Sequence, residues 1–156
     1  MISHIGSDNR PKMVDVSKKS ITRRTAHARS VVRFPPELVA VDDSGEIQSK
    51  KGPVFQTAII AGVMAAKKTH ELVPFCHPLR LEDCQINIVL NNEAAAVIDC
   101  RVTALDKTGV EMEALTGASI AALTVYDMCK SLSHDLVISE TRLIEKRGGK
   151  SDYGVK

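Results

Sequence analysis

The sequence predicts an α+β domain in which an antiparallel sheet carries two helices packed on one face. Two kinds of segment support this prediction. Short segments of alternating apolar residues are typical of half-buried strands, and two longer segments have small and apolar residues at helical spacing. From about residue 37 their order is strand, helix, strand, strand, helix, strand, which is the split βαβ or ferredoxin-like pattern, βαββαβ.

The start of the chain is predicted to be an arm. Residues 1–28 lack clear apolar periodicity, so we expect a flexible or draped N-terminal arm followed by a single domain at residues 29–156. Candidate strands lie at 30–34 and 37–41, separated by two prolines. Residues 42–45 then predict a turn, because Asp, Ser and Gly favour one.

The middle of the chain predicts a helix, a loop and a hairpin. A proline at position 53 suits the first turn of a helix, which we expect to reach about Lys68. The two prolines within 73–78 exclude a helix there, so this segment is predicted to be an ordered loop. The apolar alternation at 84–90 and the apolar segment 95–102 predict two strands joined by a turn.

The segment Thr108–Lys130 predicts one long helix that is apolar on almost every side. A last strand is predicted at 136–144, and the basic, glycine-containing tail at 146–151 is expected to be flexible. Two helices that are apolar nearly all round cannot both be covered by one four-stranded sheet. We therefore expect the chain to form an oligomer.

Composition and charge limit the possible partners and compartment. Apolar residues make up 44% of the chain but aromatic residues only 3%, so the core is predicted to consist of Ala, Val, Ile and Leu. Between Lys12 and Arg33 there are seven basic residues and one acid, which indicates an anionic partner or a solvated basic arm. Four cysteines without CxxC spacing, no signal peptide and no membrane-length apolar segment predict a reduced, cytoplasmic enzyme.

The charges of the long helix are the first candidates for chemistry. Asp127 and Lys130 lie three residues apart and share a face, so they form either a buried structural ion pair or a lysine tuned for proton transfer. Glu113 lies fourteen residues before Asp127, which corresponds to about 21 Å along a helix. One small ligand cannot contact both in a single chain, so a site that uses both is predicted to be shared between two copies.

Further candidates lie in loops. His77 is either structural or a proton carrier, and Cys76 has no second ligand at zinc spacing, so we expect no metal site. Lys51 precedes a predicted helix start, so it lies either beside free amides that attract anions or in an ordinary surface turn, which these residues alone favour. Lys146 and Lys150 flank two glycines in a segment typical of either a phosphate-binding loop or a frayed tail. This excess of cations favours a polyphosphate substrate.

These candidates lie in segments that resemble the cyclic pyranopterin monophosphate synthase family, molybdenum cofactor biosynthesis protein C (MoaC). The resemblance extends over nearly the whole chain, from about residue 13 to 151. The segments that carry it are Met13–Ser17, Lys51–Gly52, Leu72–Leu79, Lys107–Thr116, Leu123–Lys130 and Gly148–Ser151.

The resemblance implies a ferredoxin-like catalytic domain that assembles as a homohexamer, a trimer of dimers with active sites at the subunit interface. It implies a lyase that converts 3′,8-cyclo-7,8-dihydro-GTP to cyclic pyranopterin monophosphate and releases pyrophosphate, with neither membrane nor nucleic acid as a partner. The catalytic residues that it implies are Asp127, Lys130 and Lys51. The substrate-binding residues that it implies are Phe75, Cys76, His77, Glu111, Met112, Glu113, Arg24, Lys146 and Lys150. The resemblance implies no definite cofactor, and Mg²⁺ bound with the substrate triphosphate is left open.

The runner-up interpretation is a non-catalytic nucleotide- or RNA-binding module of the same fold. RNA-binding sheets usually display aromatic side chains that stack on bases. The three Phe and two Tyr residues of this chain are scattered, which favours the enzyme.

Overall fold

The computed structural model describes residues 9–38 and 40–154, and it confirms the predicted fold class. In chain order the elements are β1 (Thr22–Arg33), a 3₁₀ turn (Pro36–Leu38), β2 (Gln48–Ser49), β3 (Gly52–Pro53), α1 (Val54–Ala66), α2 (Thr69–Leu72), β4 (Leu81–Leu90), β5 (Ala95–Asp106), α3 (Glu111–Cys129) and β6 (Val137–Arg147). The four long strands form a sheet in the order β4–β5–β1–β6, with every neighbouring pair antiparallel. This is the strand order of the split βαβ pattern.

The first strand of the pattern lies earlier in the chain than predicted. β1 begins at Thr22, within the predicted arm, and is a central strand of the sheet. The predicted strand at 37–41 is wrong, because Pro36–Leu38 forms a 3₁₀ turn where the prolines remove backbone donors. Residues 1–8 of the predicted arm, Val39 of the predicted strand and residues 155–156 of the predicted domain lie outside the described residues.

The core lies between the sheet and the two long helices. Its largest fully buried side chains include Ile98, Val32, Val102 and Val125, and many of the remaining core residues are alanines. Such small residues let α1 and α3 approach each other closely, and glycines occupy the crossing point. A Cβ atom added to Gly62 of α1 would lie 2.7 Å from the carbonyl oxygen of Gly117 in α3.

The outer surfaces of the helices keep large apolar side chains exposed. Ile60 and Met64 of α1 are 61% and 55% exposed, and Leu123 of α3 is 54% exposed. The sheet covers only the inner surfaces of both helices, as their sequences predict. No helix in the described part of the chain has the length and apolar character needed to cross a membrane.

Candidate active site

Three predicted catalytic residues meet at the C-terminal end of α3. The Nζ atom of Lys51 donates hydrogen bonds to Oδ2 of Asp127 at 2.7 Å and to the Asp127 carbonyl oxygen at 3.2 Å. Lys130 Nζ lies 2.8 Å from the other carboxylate oxygen, Oδ1. We call Lys51, Asp127 and Lys130 the lysine–aspartate cluster. About half of each side chain is exposed, and a cavity of about 510 Å³ beside Asp127 and Lys130 is also lined by Leu123, Thr124 and Tyr126.

The shared carboxylate sets the charges of this cluster. Hydrogen bonds from Lys130 and then from Lys51 lower the pKa of Asp127 to about 2. The same contact with Asp127 raises the pKa of Lys130 above its ordinary value. Because about half of each side chain is exposed, the Asp127–Lys130 pair is not a buried ion pair. Its raised pKa keeps Lys130 protonated at neutral pH. This state suits a lysine that donates a proton or binds an anion, and not one that removes a proton.

A two-residue turn presents Lys51 to Asp127. Ser49 of β2 pairs with Gly52 of β3, so Lys50 and Lys51 form the tip of this small hairpin. Gly52 has φ of 113°, a backbone conformation that favours glycine. The Ser49 hydroxyl accepts a hydrogen bond from the Lys51 backbone N–H at 3.1 Å and donates one to the Gly52 carbonyl at 3.0 Å.

The amides at the start of α1 are not free to bind an anion, which excludes the anion-binding alternative for these amides and leaves the surface turn. The Glu46 carboxylate, on a residue only 5% exposed, accepts hydrogen bonds from the backbone N–H groups of Ile47 at 2.8 Å, Phe55 at 2.7 Å and Gln56 at 3.0 Å. Glu46 is not among the residues that the sequence predicts for the site. An acidic residue shortly before a predicted helix start is the pattern that indicates such a role, because negative charge is favoured near a helix N-terminus.

A second group of predicted residues surrounds a cavity of about 360 Å³ at the opposite end of α3. We call this cavity the loop pocket. The predicted residues that line it are Phe75, Cys76, His77, Glu111, Met112 and Glu113. The residues that line it without having been predicted as site residues are Val14, Val16, Lys19, Leu79, Thr108 and Gly109.

A hydrogen bond from Lys107 fastens the N-terminal segment beside the loop pocket. Lys107 Nζ donates it to the Ser17 carbonyl at 3.0 Å, and within the segment the Asp15 carboxylate accepts a hydrogen bond from the Ser17 N–H at 2.8 Å. This part of the chain is therefore draped over the domain. The sequence indicates a role for this segment only through the family resemblance, which includes Met13–Ser17.

Glu113 is the buried acid of the loop pocket. It is only 4% exposed, and burial raises the pKa of its carboxyl group to about 7. The group can therefore take up or release a proton near neutral pH. Burial also raises the pKa of the neighbouring Cys76 thiol, which disfavours a thiolate nucleophile at this position.

Basic side chains lie at the same end of α3. Lys146 Nζ is 3.1 Å from Oε1 of Glu111. The buried Arg24 guanidinium donates to the backbone carbonyls of Asp106 at 3.3 Å and Lys107 at 3.2 Å, so it fastens the end of β5. Its contact with a substrate stays a prediction. Lys150 is exposed in the turn that follows β6.

The tail that carries Lys150 is folded back rather than frayed. The backbones of Lys146 and Tyr153 exchange two hydrogen bonds of 3.0 Å. The Gly148 N–H donates to the Asp152 carboxylate at 3.0 Å, and Gly148 has φ of 84°. The predicted flexible tail is therefore a tight turn within the described residues.

The two groups are separated along one continuous helix. Glu113 and Asp127 are fourteen residues apart, which corresponds to about 21 Å of helix, as expected from the sequence. A single chain does not bring the lysine–aspartate cluster and the loop pocket together around one small ligand. Among the described residues, no group of three or more His, Cys, Asp or Glu side chains is placed to hold a metal ion.

Comparisons with known proteins agree with the resemblance. A family model described as the MoaC family matches residues 13–149. A cyclic pyranopterin monophosphate synthase of Xanthomonas oryzae is 54% identical over 98% of this chain and 93% of its own length. Molybdenum cofactor biosynthesis protein 1 of Dictyostelium discoideum is 51% identical over 96% of this chain, which spans 26% of that protein. A molybdenum cofactor biosynthesis bifunctional protein of Synechocystis is 49% identical over 97% of this chain and 45% of its own length. The chain therefore belongs to the MoaC family.

Proposed function

We propose that this chain is a cyclic pyranopterin monophosphate synthase, a phosphorus–oxygen lyase that acts on 3′,8-cyclo-7,8-dihydro-GTP and releases pyrophosphate in the cytoplasm. Family membership and the names of its relatives support an enzyme of molybdenum cofactor biosynthesis. The observation that carries the proposal is the lysine–aspartate cluster, in which two exposed lysines share one carboxylate beside a cavity. These three residues are the ones that the family resemblance assigns to catalysis.

The charges of the cluster suit the proposed reaction. Release of pyrophosphate develops negative charge on the leaving oxygens, and fixed ammonium groups stabilise that charge. Asp127 holds both ammonium groups in place and keeps Lys130 protonated. Lys130 then donates a proton or stabilises the leaving group. Lys51, on the opposite side of the same carboxylate, stabilises the same negative charge. Mg²⁺ bound to the triphosphate is compatible with this assignment.

The loop pocket supplies the remaining part of the proposed site. Glu113 titrates near neutral pH and can exchange a proton with the substrate, and His77 lines the same cavity. Lys146, with the exposed Lys150, lies at this end of α3 and suits the phosphate groups.

We propose that the two parts of one active site come from different subunits of a homohexamer, a trimer of dimers. Support comes from the separation of about 21 Å between Glu113 and Asp127 within one chain. Further support comes from the exposed apolar side chains on both long helices, since an oligomer would cover such surfaces. The RNA-binding alternative has less support, because β1, β4, β5 and β6 contain no Phe, Tyr or Trp.

A subunit-mixing experiment tests the shared site. Asp127→Ala and His77→Ala are each expected to be inactive. The two variants are unfolded and reassembled together in equal amounts. Half of the randomly formed two-fold pairs are then mixed, and one of the two sites in each mixed pair contains both Asp127 and His77. About a quarter of all sites should therefore be intact. Pyrophosphate release from the cyclic GTP derivative measures the recovery.

The matched control mixes Asp127→Ala with Lys130→Ala, two changes in the same cluster. No site can then regain a full cluster, so no activity should return. Equal recovery in both mixtures, or none in mixed oligomers verified by mass spectrometry, would contradict the shared site. Absence of pyrophosphate release by the unmodified protein would overturn the proposed function itself.

A further inference from the structure

We propose that Glu46 is a positioning residue that holds Lys51 against Asp127. The inference rests on the proposed catalytic role of Lys51. Glu46 itself is buried and points away from solvent, so it acts through the segment that it fastens.

The hydrogen bonds of Glu46 close the base of the hairpin that carries Lys51. Its carboxylate binds the Ile47 N–H before the hairpin and the N–H groups of Phe55 and Gln56 after it. The Val54 N–H adds a hydrogen bond of 3.0 Å to the Ile47 carbonyl across the same base. One side chain therefore ties both ends of the segment that lies between Glu46 and Gln56.

The chain before Glu46 is fastened as well. Asp42 accepts hydrogen bonds from the Ser44 N–H at 2.9 Å, the Glu46 N–H at 3.1 Å and the Gln48 side chain at 3.0 Å. Glu46 is thus held by a rigid turn on one side and by the start of α1 on the other. Beyond its base, the hairpin is held by the two hydrogen bonds of the Ser49 hydroxyl and by the contact of Lys51 Nζ with Asp127, and half of the Lys51 side chain is exposed.

Loss of the Glu46 hydrogen bonds should displace Lys51 more than the rest of the domain. In Glu46→Gln one oxygen can still accept a hydrogen bond, but the amide NH₂ group faces an N–H donor and repels it. The freed N–H groups belong to the base of the hairpin. Misplacement of a reacting group by about 1 Å can lower turnover by about 100-fold.

The kinetic test compares Glu46→Gln with the unmodified protein. We expect kcat to fall about 10- to 100-fold, while the dissociation constant of the cyclic GTP derivative changes less than about threefold, because Lys51 is misplaced but the loop pocket is intact. In a Lys51→Met background, Glu46→Gln should cause no further loss of kcat. An equal loss in both backgrounds would overturn the positioning role. Near-normal turnover by Lys51→Met would instead overturn the proposed role of Lys51.

A control variant separates positioning from general destabilisation. The Asn91 side chain accepts hydrogen bonds from the N–H groups of Glu93 at 2.9 Å and Ala95 at 3.0 Å, in the turn between β4 and β5. Asn91→Ala should lower the melting temperature without lowering kcat. If it lowers kcat as much as Glu46→Gln does, the effect of Glu46 is not specific to Lys51.

A chemical readout decides the question without turnover. Brief labelling with acetic anhydride, followed by mass spectrometry, reports the accessibility of each lysine. Glu46→Gln should speed the labelling of Lys51 several-fold relative to Lys67 at the end of α1, because the hydrogen bonds of Lys51 to Asp127 are weakened. If Glu46→Gln does not fold, Glu46→Asp, which keeps the charge but is one methylene shorter, is measured in the same way. Unchanged Lys51 labelling in a folded variant would overturn the inference.

Discussion

Replacement of Gly62 by Ala should destabilise the fold, although alanine is the better helix former. Gly62 lies where α1 crosses α3. An added Cβ would lie 2.7 Å from the Gly117 carbonyl oxygen and 3.1 Å from the Cβ of Ala121, and closer still to Cδ1 of Ile86. The carbonyl belongs to the backbone of α3, so it cannot rotate away as a side chain could.

Two opposing contributions determine the size of the effect. Replacement of Gly by Ala within a helix stabilises it by about 1 kcal/mol. Overpacking in a tight core typically costs about 1 to 3 kcal/mol, and here the two helices must separate by several tenths of an ångström to relieve the backbone contact. The steric contribution should prevail, so we expect a net loss of about 1 to 2 kcal/mol in the free energy of unfolding.

Gly117→Ala is the matched control. It brings the same gain in helix propensity, but its Cβ would lie 3.3 Å from the Gly62 carbonyl and 3.4 Å from the Cβ of Ala66. Its closest neighbour is the Cys100 sulfur at 2.8 Å, which is a side chain and can shift. We expect a change of less than about 1 kcal/mol, since propensity and crowding nearly cancel.

Urea unfolding followed by circular dichroism measures both variants, and it suits a chain without Trp. All samples need the same protein concentration, because assembly contributes to apparent stability. A shift of the midpoint at constant slope reports stability. If Gly62→Ala is as stable as the unmodified protein, or more stable than Gly117→Ala, the helices are less tightly packed than described.

Two further predictions concern Glu113 and the lysines. Folding raises the pKa of Glu113 from 4.5 to about 7. Between these pH values Glu113 is protonated in the folded protein but ionised in the unfolded chain. The free energy of unfolding therefore falls as the pH rises through this window. Glu113→Gln should therefore stabilise the protein at pH 8, by about 2 to 3 kcal/mol, and change little at pH 4.5; an equal effect at both pH values in thermal unfolding would contradict this. Lys130→Ala should lower turnover at saturating substrate by at least about 100-fold while binding persists, whereas Lys150→Ala should mainly weaken binding. Single-turnover kinetics with separate binding measurements distinguish these outcomes, and near-normal turnover by Lys130→Ala would remove its catalytic role.

The parts of the fold with strong local patterns could be predicted from the sequence. Both long helices, the β4–β5 hairpin and β6 lie close to their predicted positions. The sequence predicts β1 only in part, because its helix-facing residues include Ala26, Ala28 and Ser30, which give weak apolar alternation. The polar and charged residues between them resembled a basic arm.

The candidate site could be predicted only in part. The resemblance identified residues of both groups, and helix geometry predicted their separation along α3. The Lys51–Asp127 contact joins residues 76 positions apart, so no local pattern reports it. The role of Glu46 was hidden for the same reason, because its hydrogen bonds depend on how the hairpin folds back onto the start of α1.

The continuity of α3 between Glu113 and Asp127 restricts how the length of this chain can change. Each residue inserted into the helix would lengthen it by about 1.5 Å and rotate everything beyond by about 100°. A single insertion between the two groups would turn Asp127 away from Lys51, even with every side chain of the site retained. The turn between β4 and β5 has no such restriction, since it contains none of the candidate site residues. Length variation in functional relatives should therefore be found in that turn and be absent from the middle of α3.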